Sequence, residues 1–351
     1  MKDHLTPQAI DALLAWYRVN KRDLPWRHTA DPYCIWLSEI MLQQTRVEAV
    51  KPYYARFLAE CPTVAALADL PEARLMKLWE GLGYYSRARN LQRAAKTIMA
   101  EHGSEMPRTY EELRRLAGIG DYTAGAVASI AFGERVPAID GNVLRVLARV
   151  SGSYEDIGKP ETKKKWREEL YPLIPVAAGD FTQALIELGA TVCVPNGTAR
   201  CEVCPLAPFC SAAKAGLCDE IPVKSAKKPR RIEKMTVLLI RDGSRTAIRK
   251  RPEKGLLAGL YELPNVLCHL SQDELPAYVR SIGFEPLHIK RLEDAKHIFT
   301  HVEWHMIAYD VRISSDFDGF HGGSGCFLIS NDELHRSYAI PSAFSAYKTY
   351  L

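Results

Sequence analysis

Two carboxylates in this chain have surroundings of opposite kinds. Glu39 lies inside the apolar run IWLSEIMLQQ (residues 35–44), where the loss of hydration disfavours the charged form of an acid. Asp140 comes just before a stretch with helical periodicity, and an N-cap position there would hold its pKa down. Acids with opposed pKa values are the usual pairing of a general acid with an anionic stabiliser or nucleophile. The pair therefore predicts cleavage of a glycosidic bond, although Asp140 taken alone also fits a plain helix cap.

Five of the nine cysteines fall within one short segment, residues 193–218. The first four have the spacing C-x7-C-x2-C-x5-C, which suits either a tetrahedral zinc ion or an iron–sulfur cluster. The spacing alone does not decide between the two groups, and either would staple this segment together. The candidate metal ligands are Cys193, Cys201, Cys204 and Cys210. The fifth cysteine, Cys218, lies outside the spacing and is interpreted as a bystander.

A glycine-rich turn lies in LRRLAGIGDYTAGAVASIAFG (113–133), where two helical stretches flank Gly118 and Gly120. Glycine permits a tight turn and a close approach of the backbone to a ligand. The second helix then presents free amide groups and the positive end of its dipole, which favours phosphate. The segment is typical of a helix–hairpin–helix that binds a DNA backbone without reading its sequence. A turn used only for packing is the alternative.

The elements that must position these residues are predicted to be helical from residue 1 to about 220. The helix that carries Glu39 opens with Asp31 as its N-cap and Pro32 in its first turn, and its periodicity continues to Gln44. A helix that is apolar on most sides is a buried one. Periodicity and Gly and Pro punctuation predict further helices at 6–19, 49–59, 72–79, 86–101, 109–116, 122–132, 142–150, 161–170 and 180–190.

The pattern changes after residue 220. Residues 221–234 carry six basic side chains and one acidic side chain, which suits a linker that contacts phosphates or is merely solvated. Beyond it, two strand-like runs flank the hairpin signal Asp242-Gly243, a helix is predicted at 272–282, and residues 297–313 are typical of strands. We therefore predict a helical domain (1–220), a basic linker (221–234) and a separate α+β domain (235–351).

The composition is that of an ordinary folded protein. Of the 351 residues, 47% are hydrophobic and 25% are charged, and the net charge of +4 permits a polyanionic partner without establishing one. No apolar stretch reaches about 18 residues, so we expect no membrane span. The first residues lack the apolar core of a signal peptide, so a cytosolic chain with reduced thiols is expected.

Taken together, these features resemble the endonuclease III superfamily of helix–hairpin–helix glycosylases, and within it the MutY-type adenine DNA glycosylases. The C-terminal part is similar to the 8-oxoguanine-recognition domain of that family. The matching stretches cover most of the first 210 residues and continue beyond the linker. They are RDLPWR (22–27), DPYCIWLSEIMLQQTRV (31–47), WEGLGYYSRARNL (79–91), LAGIGDYTAGAVASIAFG (116–133), AIDGNVLRV (138–146), TQALIELGATVC (182–193), RPEKGLLAGLYELP (251–264) and HIFTHVEWHM (297–306).

The resemblance implies a DNA repair enzyme that flips out adenine mispaired with 8-oxoguanine or guanine. The enzyme would hydrolyse the N-glycosidic bond with acid assistance and leave an abasic site. The implied fold is an all-α two-lobed helix–hairpin–helix domain with a [4Fe–4S] cluster, followed by a Nudix-like α+β domain. The implied partner is double-stranded DNA, and the chain is expected to be a cytoplasmic monomer, associated with the nucleoid if it is bacterial.

Residue roles follow from the resemblance by position. Glu39 would protonate the flipped adenine at N7, and Asp140 would stabilise the oxocarbenium-like sugar or bond to it transiently. Tyr122 and Asn142 would hold Asp140 and the nearby backbone. The adenine pocket would be lined by Trp26, Arg27, Leu42, Val47 and Gln183. DNA binding and lesion recognition would fall to Gln44, Tyr84, Gly118, Gly120, Thr300 and His301.

The chain departs from the family pattern at several positions. The cysteine motif begins with C-x7-C where C-x6-C is most frequent, and its first loop holds one basic residue, Arg200. Leu144 stands four residues after Asp140, where some relatives carry Lys. Thr300 replaces the Ser of the family's Phe-Ser-His loop and keeps a hydroxyl that both donates and accepts hydrogen bonds.

Three other functions compete with the adenine glycosylase. A strand-cleaving lyase needs an amine nucleophile, which the superfamily places in the hairpin, and the matching residue here is Tyr122. A Nudix pyrophosphatase needs a glutamate-rich metal-binding helix, and residues 265–283 lack the paired Glu residues. A DNA-binding module without catalysis would leave both Glu39 and Asp140 unexplained. The sequence therefore favours the adenine glycosylase.

Overall fold

The computed structural model describes residues 3–226, 229–314 and 325–351. The chain divides into two compact units that are not consecutive halves of the sequence. The first unit contains Met1–Asp69 and Arg89–Ala226, and the second contains Leu70–Ala88 and Lys227–Leu351. The segment Leu70–Ala88 therefore belongs to the same unit as the C-terminal part of the chain, although it is surrounded in sequence by helices of the first unit.

Residues 3–226 are helical, and no strand is present among them. The predicted helices are confirmed, most of them to within two residues of their predicted ends. The stretch at 109–116 is α-helical only over its first half, and two short helices were not predicted, because six or five residues carry too little periodicity. The helices are α1 (Pro7–Asn20), α2 (Pro32–Leu42), α3 (Val47–Glu60), α4 (Val64–Asp69), α5 (Glu72–Trp79), α6 (Ser86–Glu101), α7 (Tyr110–Leu113), α8 (Asp121–Phe132), α9 (Gly141–Ser151), α10 (Pro160–Leu170), α11 (Ala178–Thr191) and α12 (Ser211–Ala215).

Helix α2 begins as the sequence indicates but ends earlier. The Asp31 carboxylate accepts a hydrogen bond from the amide of Tyr33 at 2.8 Å, and Pro32 occupies the first helical position. The helix ends at Leu42, and Gln44 has a φ angle of 58°. A right-handed helix cannot continue through a residue with positive φ. The expectation that Gln44 lies on the apolar face of this helix is therefore wrong.

The core of the first unit is built around α11. Helix α11 packs against α1, α8 and α9, and α2 packs against α8. Leu13 of α1, Leu147 of α9 and Phe181 and Leu185 of α11 are all buried in one cluster. Burial of such side chains is the main driving force that holds helices at fixed positions. This packing brings α2, the start of α8 and the start of α9 together.

Two glycines allow the helices to approach closely. A Cβ atom on Gly189 of α11 would lie 2.6 Å from the Cβ of Asn142 in α9, which is closer than any real contact. Gly118, in the turn between α7 and α8, has a φ of 76°, and a Cβ there would meet the Asn90 side chain at 2.6 Å. The turn therefore requires glycine at this position for conformation and for space. It confirms the predicted helix–hairpin–helix.

The second unit contains a mixed sheet with a core on each face. Strand order is β3-β2-β1-β7-β5, with β1 parallel to β7 and the other pairs antiparallel. Alternate residues of β1 face opposite sides of the sheet, as Leu238 and Leu239 do. The elements are β1 (Arg231–Arg241), β2 (Arg245–Lys250), β3 (Tyr261–Glu262), β4 (Asn265–Val266), α13 (Leu275–Ser281), β5 (His288–Arg291), β6 (Ala295–Ile298), β7 (Val302–Arg312), β8 (Cys326–Ser330) and α14 (Asn331–Ser337), with α5 from the earlier segment.

The hairpin predicted around Asp242-Gly243 and the strands predicted within residues 297–313 are present. The predicted linker is shorter than expected, because residues 231–234 already belong to β1 and pair with β7. Alternation of side chains in a strand leaves every second residue exposed, so the basic residues there do not exclude a strand. Lys227 and Lys228, which contribute to the basic run, lie outside the described residues.

Candidate active site

Glu39 is a buried carboxylate in the middle of α2, with only 8% of its surface exposed. Its helix neighbours Trp36, Leu37, Ile40 and Met41 are buried as well, so α2 offers it no contact with bulk water. Burial, together with a smaller contribution from the nearby Asp140, raises the pKa of the Glu39 carboxyl to about 7. Near neutral pH this acid therefore exists in both protonated and ionised forms.

Tyr122, in the first turn of α8, holds Glu39 in place. Its phenolic hydroxyl donates a hydrogen bond to Oε2 of Glu39 at 2.8 Å. This bond favours the ionised form of the carboxylate and keeps the pKa of Glu39 from rising further. Tyr122 thus forms a hydrogen bond with Glu39, and Asp140 lies close enough to raise the pKa of the Tyr122 hydroxyl. Its predicted role in holding Asp140 stays a prediction.

Asp140 is the N-cap of α9. Its Oδ1 accepts the backbone amide of Val143 at 2.8 Å, and its Oδ2 accepts the side-chain amide of Asn142 at 2.9 Å. The predicted cap and the contact with Asn142 are therefore present. The expectation that the cap holds the pKa of Asp140 down is wrong, since burial of the site outweighs these hydrogen bonds and raises the pKa above its usual value.

A second buried carboxylate, Glu187 of α11, organises the neighbouring loop. The Glu187 side chain is fully buried. Its carboxylate accepts a hydrogen bond from Nη2 of Arg27 at 2.8 Å and two from Arg22, from Nε at 2.7 Å and from Nη2 at 2.8 Å. Burial by itself raises the pKa of Glu187, but the hydrogen bonds from Arg22 and Arg27 lower it to about 2. Two charged partners are needed to stabilise an acid that is so fully removed from water.

Sequence reasoning missed Glu187, although the signal that marked Glu39 was available. Glu187 also stands alone in an apolar helical run, ALIELGA. Arg27, predicted to line the adenine pocket, is held by Glu187 and by the carbonyl of Arg22 at 2.9 Å. Arg27 also lies close enough to Glu39 to oppose the rise in the pKa of Glu39. Glu187 therefore links α11 to the carboxylate site through Arg27.

The other predicted pocket residues lie on the elements around Glu39. Trp26 is buried and packs edge-on against Tyr54, with ring centroids 5.5 Å apart. Leu42 is the last residue of α2, Val47 is the first of α3, and Gln183 lies on α11; all three are partly exposed. Their place in the adenine pocket stays a prediction.

The four motif cysteines line a single cavity between α9, α11 and the segment that follows α11. Arg149 donates to Sγ of Cys193 at 3.3 Å, and the amide of Ala213 donates to Sγ of Cys210 at 3.4 Å. Such donors stabilise thiolate sulfur. Cys218 lines the same cavity, with its Sγ 3.7 Å from Sγ of Cys201, so it lies beside the motif cysteines although it stands outside their spacing. Its interpretation as a bystander to metal binding stays a prediction.

The spacing of these thiols bears on the choice of metal. A single tetrahedral zinc ion needs its sulfur ligands about 3.8 Å from one another, given Zn–S bonds of about 2.3 Å. Across residues 3–226, 229–314 and 325–351, no three His, Cys, Asp or Glu side chains are grouped closely enough to hold one metal ion. The donor set is all sulfur and lines one cavity, which fits either a single zinc ion or an iron–sulfur cluster.

Tyr84 and Thr300 meet in the second unit. The hydroxyl of Tyr84 lies 3.2 Å from Oγ1 of Thr300, and both side chains are exposed. Tyr84 has a φ of 47°, an uncommon backbone conformation for a residue other than glycine. Two residues that are more than 200 positions apart in sequence, and that were both assigned to lesion recognition, thus form one exposed feature.

The loop that carries Thr300 is held by contacts of the residues on either side of it, Phe299 and His301. Phe299 packs edge-on against Trp304, with centroids 4.8 Å apart, and its carbonyl accepts Nε of Arg230 at 3.0 Å. The carbonyl of His301 accepts the amide of Arg231 at 3.1 Å, while its side chain is exposed. Two residues of the predicted basic linker therefore fix this loop.

Gln44, which was also assigned to lesion recognition, is exposed and lies in the first unit.

Comparisons with known proteins agree with this architecture. Residues 37–172 match the family of HhH-GPD superfamily base excision DNA repair proteins, and residues 236–349 match the NUDIX domain family. The adenine DNA glycosylase of Homo sapiens is 33% identical, over 96% of this chain and 73% of its own length. The chain belongs to the adenine DNA glycosylase family. The adenine DNA glycosylase of Mus musculus is 35% identical, over 86% of this chain and 70% of its own length. The adenine DNA glycosylase of Buchnera aphidicola (subspecies Schizaphis graminum) is 32% identical, over 86% of this chain and 87% of its own length.

Solved structures support the fold of this glycosylase. A thermostable thymine-DNA glycosylase has a TM-score of 0.53 and 28% identity, covering 59% of this chain and 95% of that one. An endonuclease III–DNA complex has a TM-score of 0.51 and 23% identity, and the match covers 59% of this chain and 94% of the endonuclease III chain. These matches confirm a helical fold like that of endonuclease III. The match of residues 236–349 to the NUDIX domain family confirms that a Nudix-like α+β domain follows it. In the described residues no helix is both long and apolar enough to cross a membrane.

The helix of the Nudix-like domain that lies between β4 and β5 bears on whether this domain could hydrolyse a pyrophosphate. Its helix α13 has the sequence LPAYVRS, without a single carboxylate. Nudix hydrolysis needs several glutamates on such a helix to hold divalent cations, as carboxylate oxygens are the ligands these ions prefer. Helix α13 therefore does not have the composition of a Nudix metal-binding helix.

Proposed function

We propose that this protein hydrolyses the N-glycosidic bond of adenine paired with 8-oxoguanine or guanine in double-stranded DNA, leaving an abasic site. The observation that carries the proposal is the buried Glu39, with a pKa of about 7, beside Asp140 in a fold of the adenine DNA glycosylase family. Loss of a neutral purine requires a proton at the leaving base and negative charge near the developing sugar cation. The two carboxylates supply these two requirements.

Glu39 acts as the general acid. Its pKa lies near neutral, where the product of proton availability and proton-transfer strength is greatest. The bond from Tyr122 fixes Oε2, so the proton is delivered from Oε1 to N7 of the flipped adenine. Protonation turns the base into a good leaving group.

Asp140 stabilises the sugar as the base departs. Its cap bonds to Val143 and Asn142 fix its orientation, so no reorganisation is needed when positive charge develops at the anomeric carbon. A carboxylate in a partly desolvated site interacts with that charge more strongly than it would in water. Water then attacks the anomeric carbon, or displaces a transient bond to Asp140.

The reaction is hydrolysis without strand cleavage. A lyase forms an imine between an amine nucleophile and the sugar. The hairpin position that carries this amine in related lyases is Tyr122, whose phenol cannot form an imine and is hydrogen-bonded to Glu39. We therefore expect the product strand to stay intact until it is treated with base.

A [4Fe–4S] cluster is proposed for the cysteine cavity, held by Cys193, Cys201, Cys204 and Cys210. When bound it would supply structural cross-linking of the segment after α11, with no step in base removal assigned to it. The donors from Arg149 and Ala213 to two of the sulfurs support this choice. Purified protein should be yellow-brown with near-equal iron and sulfide. A colourless, active protein with stoichiometric zinc would contradict the proposal.

DNA binding is proposed for the hairpin, and lesion reading for the second unit. The amides at the start of α8 and the open space around Gly120 suit a phosphate group. Tyr84 would enter the base stack beside 8-oxoguanine, and Thr300 and His301 would test its altered edge. Adenine itself is an undamaged base, so discrimination must come from the opposite strand.

The test is single-turnover adenine excision from duplexes with A:8-oxoG, A:G, A:C or A:T pairs, with and without base treatment of the product. The fastest excision from A:8-oxoG and no excision from A:T would support the proposed function. Excision from A:T at a similar rate would refute the proposed specificity. Strand cleavage before base treatment would refute the assignment as a simple hydrolase.

A further inference from the structure

The segment Leu70–Ala88 is part of the second unit, and Glu80 forms polar contacts with the C-terminal residues of that unit. Glu80 Oε1 accepts Nζ of Lys348 at 2.5 Å and the backbone amide of Ile340 at 3.2 Å. Its Oε2 accepts Nζ of Lys77 at 2.7 Å. Lys77 in turn donates to the carbonyl of Tyr338 at 3.1 Å. The Glu80 carboxylate thus joins the end of α5 to Ile340 and Lys348 directly, and to Tyr338 through Lys77.

This network is protected from solvent. Only 18% of the Glu80 side chain and 19% of the Lys77 side chain are exposed. Burial by itself raises the pKa of Glu80, but the hydrogen bonds from Lys348 and Lys77 bring it below its usual value. Exposed ion pairs contribute little to structure, whereas a partly buried carboxylate with three donors holds its neighbours in one geometry.

The chain from Glu80 to Tyr84 is a tight, strained turn. Gly81, Gly83 and Tyr84 have φ angles of 101°, 69° and 47°. The indole of Trp79 donates to the carbonyl of Gly83 at 3.1 Å, and Arg87 donates to the same carbonyl, also at 3.1 Å. Because these hydrogen bonds hold the backbone of the turn in one conformation, the position of its last residue depends on the position of its first. Fixing Glu80 therefore fixes Tyr84.

The C-terminal segment that Glu80 contacts also supports the loop with Thr300. Phe344, between Ile340 and Lys348, packs against Trp304 with ring centroids 6.0 Å apart. Trp304 packs against Phe299 at 4.8 Å, and Phe299 directly precedes Thr300. The Tyr84 turn and the Thr300 loop are therefore attached to one common core, Tyr84 through Glu80 and Thr300 through these aromatic rings.

We propose that Glu80 is a positioning residue for lesion recognition, which holds Tyr84 against Thr300 so that both meet the base opposite adenine together. This inference rests on the proposed function, because it names what sets the geometry of the lesion-reading site. Glu80 itself does not contact DNA in this role. It acts through the backbone of residues 80–84 and through the C-terminal segment, and it selects the position of Tyr84 among those an exposed turn could adopt.

The test is Glu80→Ala, with Glu285→Ala as the matched control. Glu285 is a carboxylate of the same unit in an exposed pair with Arg280. The ratio of single-turnover excision rates, A:8-oxoG over A:G, should fall about fivefold to tenfold in Glu80→Ala, as expected for the loss of charged hydrogen bonds. The ratio should not change in Glu285→Ala. An unchanged ratio in Glu80→Ala, with a clear preference in the wild type, would overturn the inference.

A double-mutant cycle separates positioning from general destabilisation. If Glu80 acts through Tyr84, Glu80→Ala should not lower the ratio further in a Tyr84→Ala background. A further drop of the same size in that background would show that Glu80 acts by another route and would refute the inference. Should Glu80→Ala not fold, Lys348→Met removes the same contact from the other side and carries the same expectation.

Hydrogen exchange of the free protein gives a readout that needs no DNA. Amides of residues 80–88 should exchange faster in Glu80→Ala than in the wild type and in Glu285→Ala. Unchanged exchange there would refute the anchoring. If the wild type shows no preference for A:8-oxoG, the proposed function fails and the recognition role of Glu80 fails with it, while exchange still reports whether Glu80 anchors the segment.

Discussion

The carboxylate site of the first unit and the Tyr84–Thr300 pair of the second unit are built in opposite ways. Glu39 is buried within a helix, and its pKa is set by the loss of water around it. Tyr84 and Thr300 are exposed, and their hydroxyl oxygens lie 3.2 Å apart. Loss of water shifts the pKa of an acid, so a residue that transfers a proton benefits from a dry and rigid site. Recognition needs side chains that reach an incoming surface.

The comparison makes separable predictions. Changes in the first unit should abolish or slow base removal whatever the opposite base is. Changes in the second unit should alter the preference among opposite bases and leave the chemistry intact. A variant that does both would break this division of roles.

The largest effect is expected for Glu39→Gln. An amide cannot donate the proton that the leaving base needs, and general acid catalysis contributes about 100-fold to 10,000-fold. Single-turnover excision from A:8-oxoG and from A:G should fall by that factor in both cases, with duplex binding retained. Glu48→Gln, an exposed carboxylate paired with Lys51, is the control and should behave like the wild type. Full activity of Glu39→Gln would remove its role as the acid.

Asp140→Asn should be slowed by about 100-fold or more, because a neutral amide cannot offset a developing cation. Asparagine caps a helix as well as aspartate, so thermal unfolding should not change. This separates the catalytic role from the cap. If the variant kept more than about half of the single-turnover rate, Asp140 would serve α9 alone.

The rate of excision should depend on pH through Glu39. Its pKa is raised to about 7, so the protonated acid is present below that pH and is lost as the pH rises through it. The single-turnover rate should therefore fall about tenfold per pH unit above the midpoint. Tyr122→Phe removes the hydrogen bond that lowers this pKa and should move the midpoint to higher pH. A midpoint that stays in place would separate Tyr122 from the acid.

The smallest effect is expected for the double variant Thr300→Ala/His301→Ala. The loss of polar contacts should reduce the preference for A:8-oxoG over A:G about tenfold. Excision from A:G should change little, and His288→Ala, an exposed histidine on β5, should change neither rate. An unchanged preference would move lesion reading to Tyr84 and Gln44.

Removal of residues 235–351 is a poor substitute for these point variants. The segment Leu70–Ala88, with Tyr84, belongs to the same unit as the removed residues and contacts them through Glu80. Truncation would therefore release Tyr84 as well as delete Thr300. Its effect on discrimination should exceed that of the double variant for this reason, and it would not show which element reads the lesion.

Most helices were predictable because their apolar periodicity and caps are local. Asp31, Pro32 and the Gly118 turn mark their elements within a few residues. The end of α2 at Leu42 was not predictable from periodicity, since Gln43 and Gln44 continue the pattern while the backbone leaves the helix. The pKa of Asp140 was also misjudged, because a cap bond is local and the burial that outweighs it comes from other elements.

By itself, the sequence of this protein determined the elements, the two kinds of domain and the residue types that carry the chemistry. Those are consequences of short-range pattern and of which side chains can move protons or bind metal. Only the tertiary structure decided which groups meet: Tyr122 with Glu39, Glu187 with Arg27, and Cys218 with Cys201. It also decided that Leu70–Ala88 joins the C-terminal unit. Such pairings depend on burial and packing between distant segments, which no local pattern in a chain encodes.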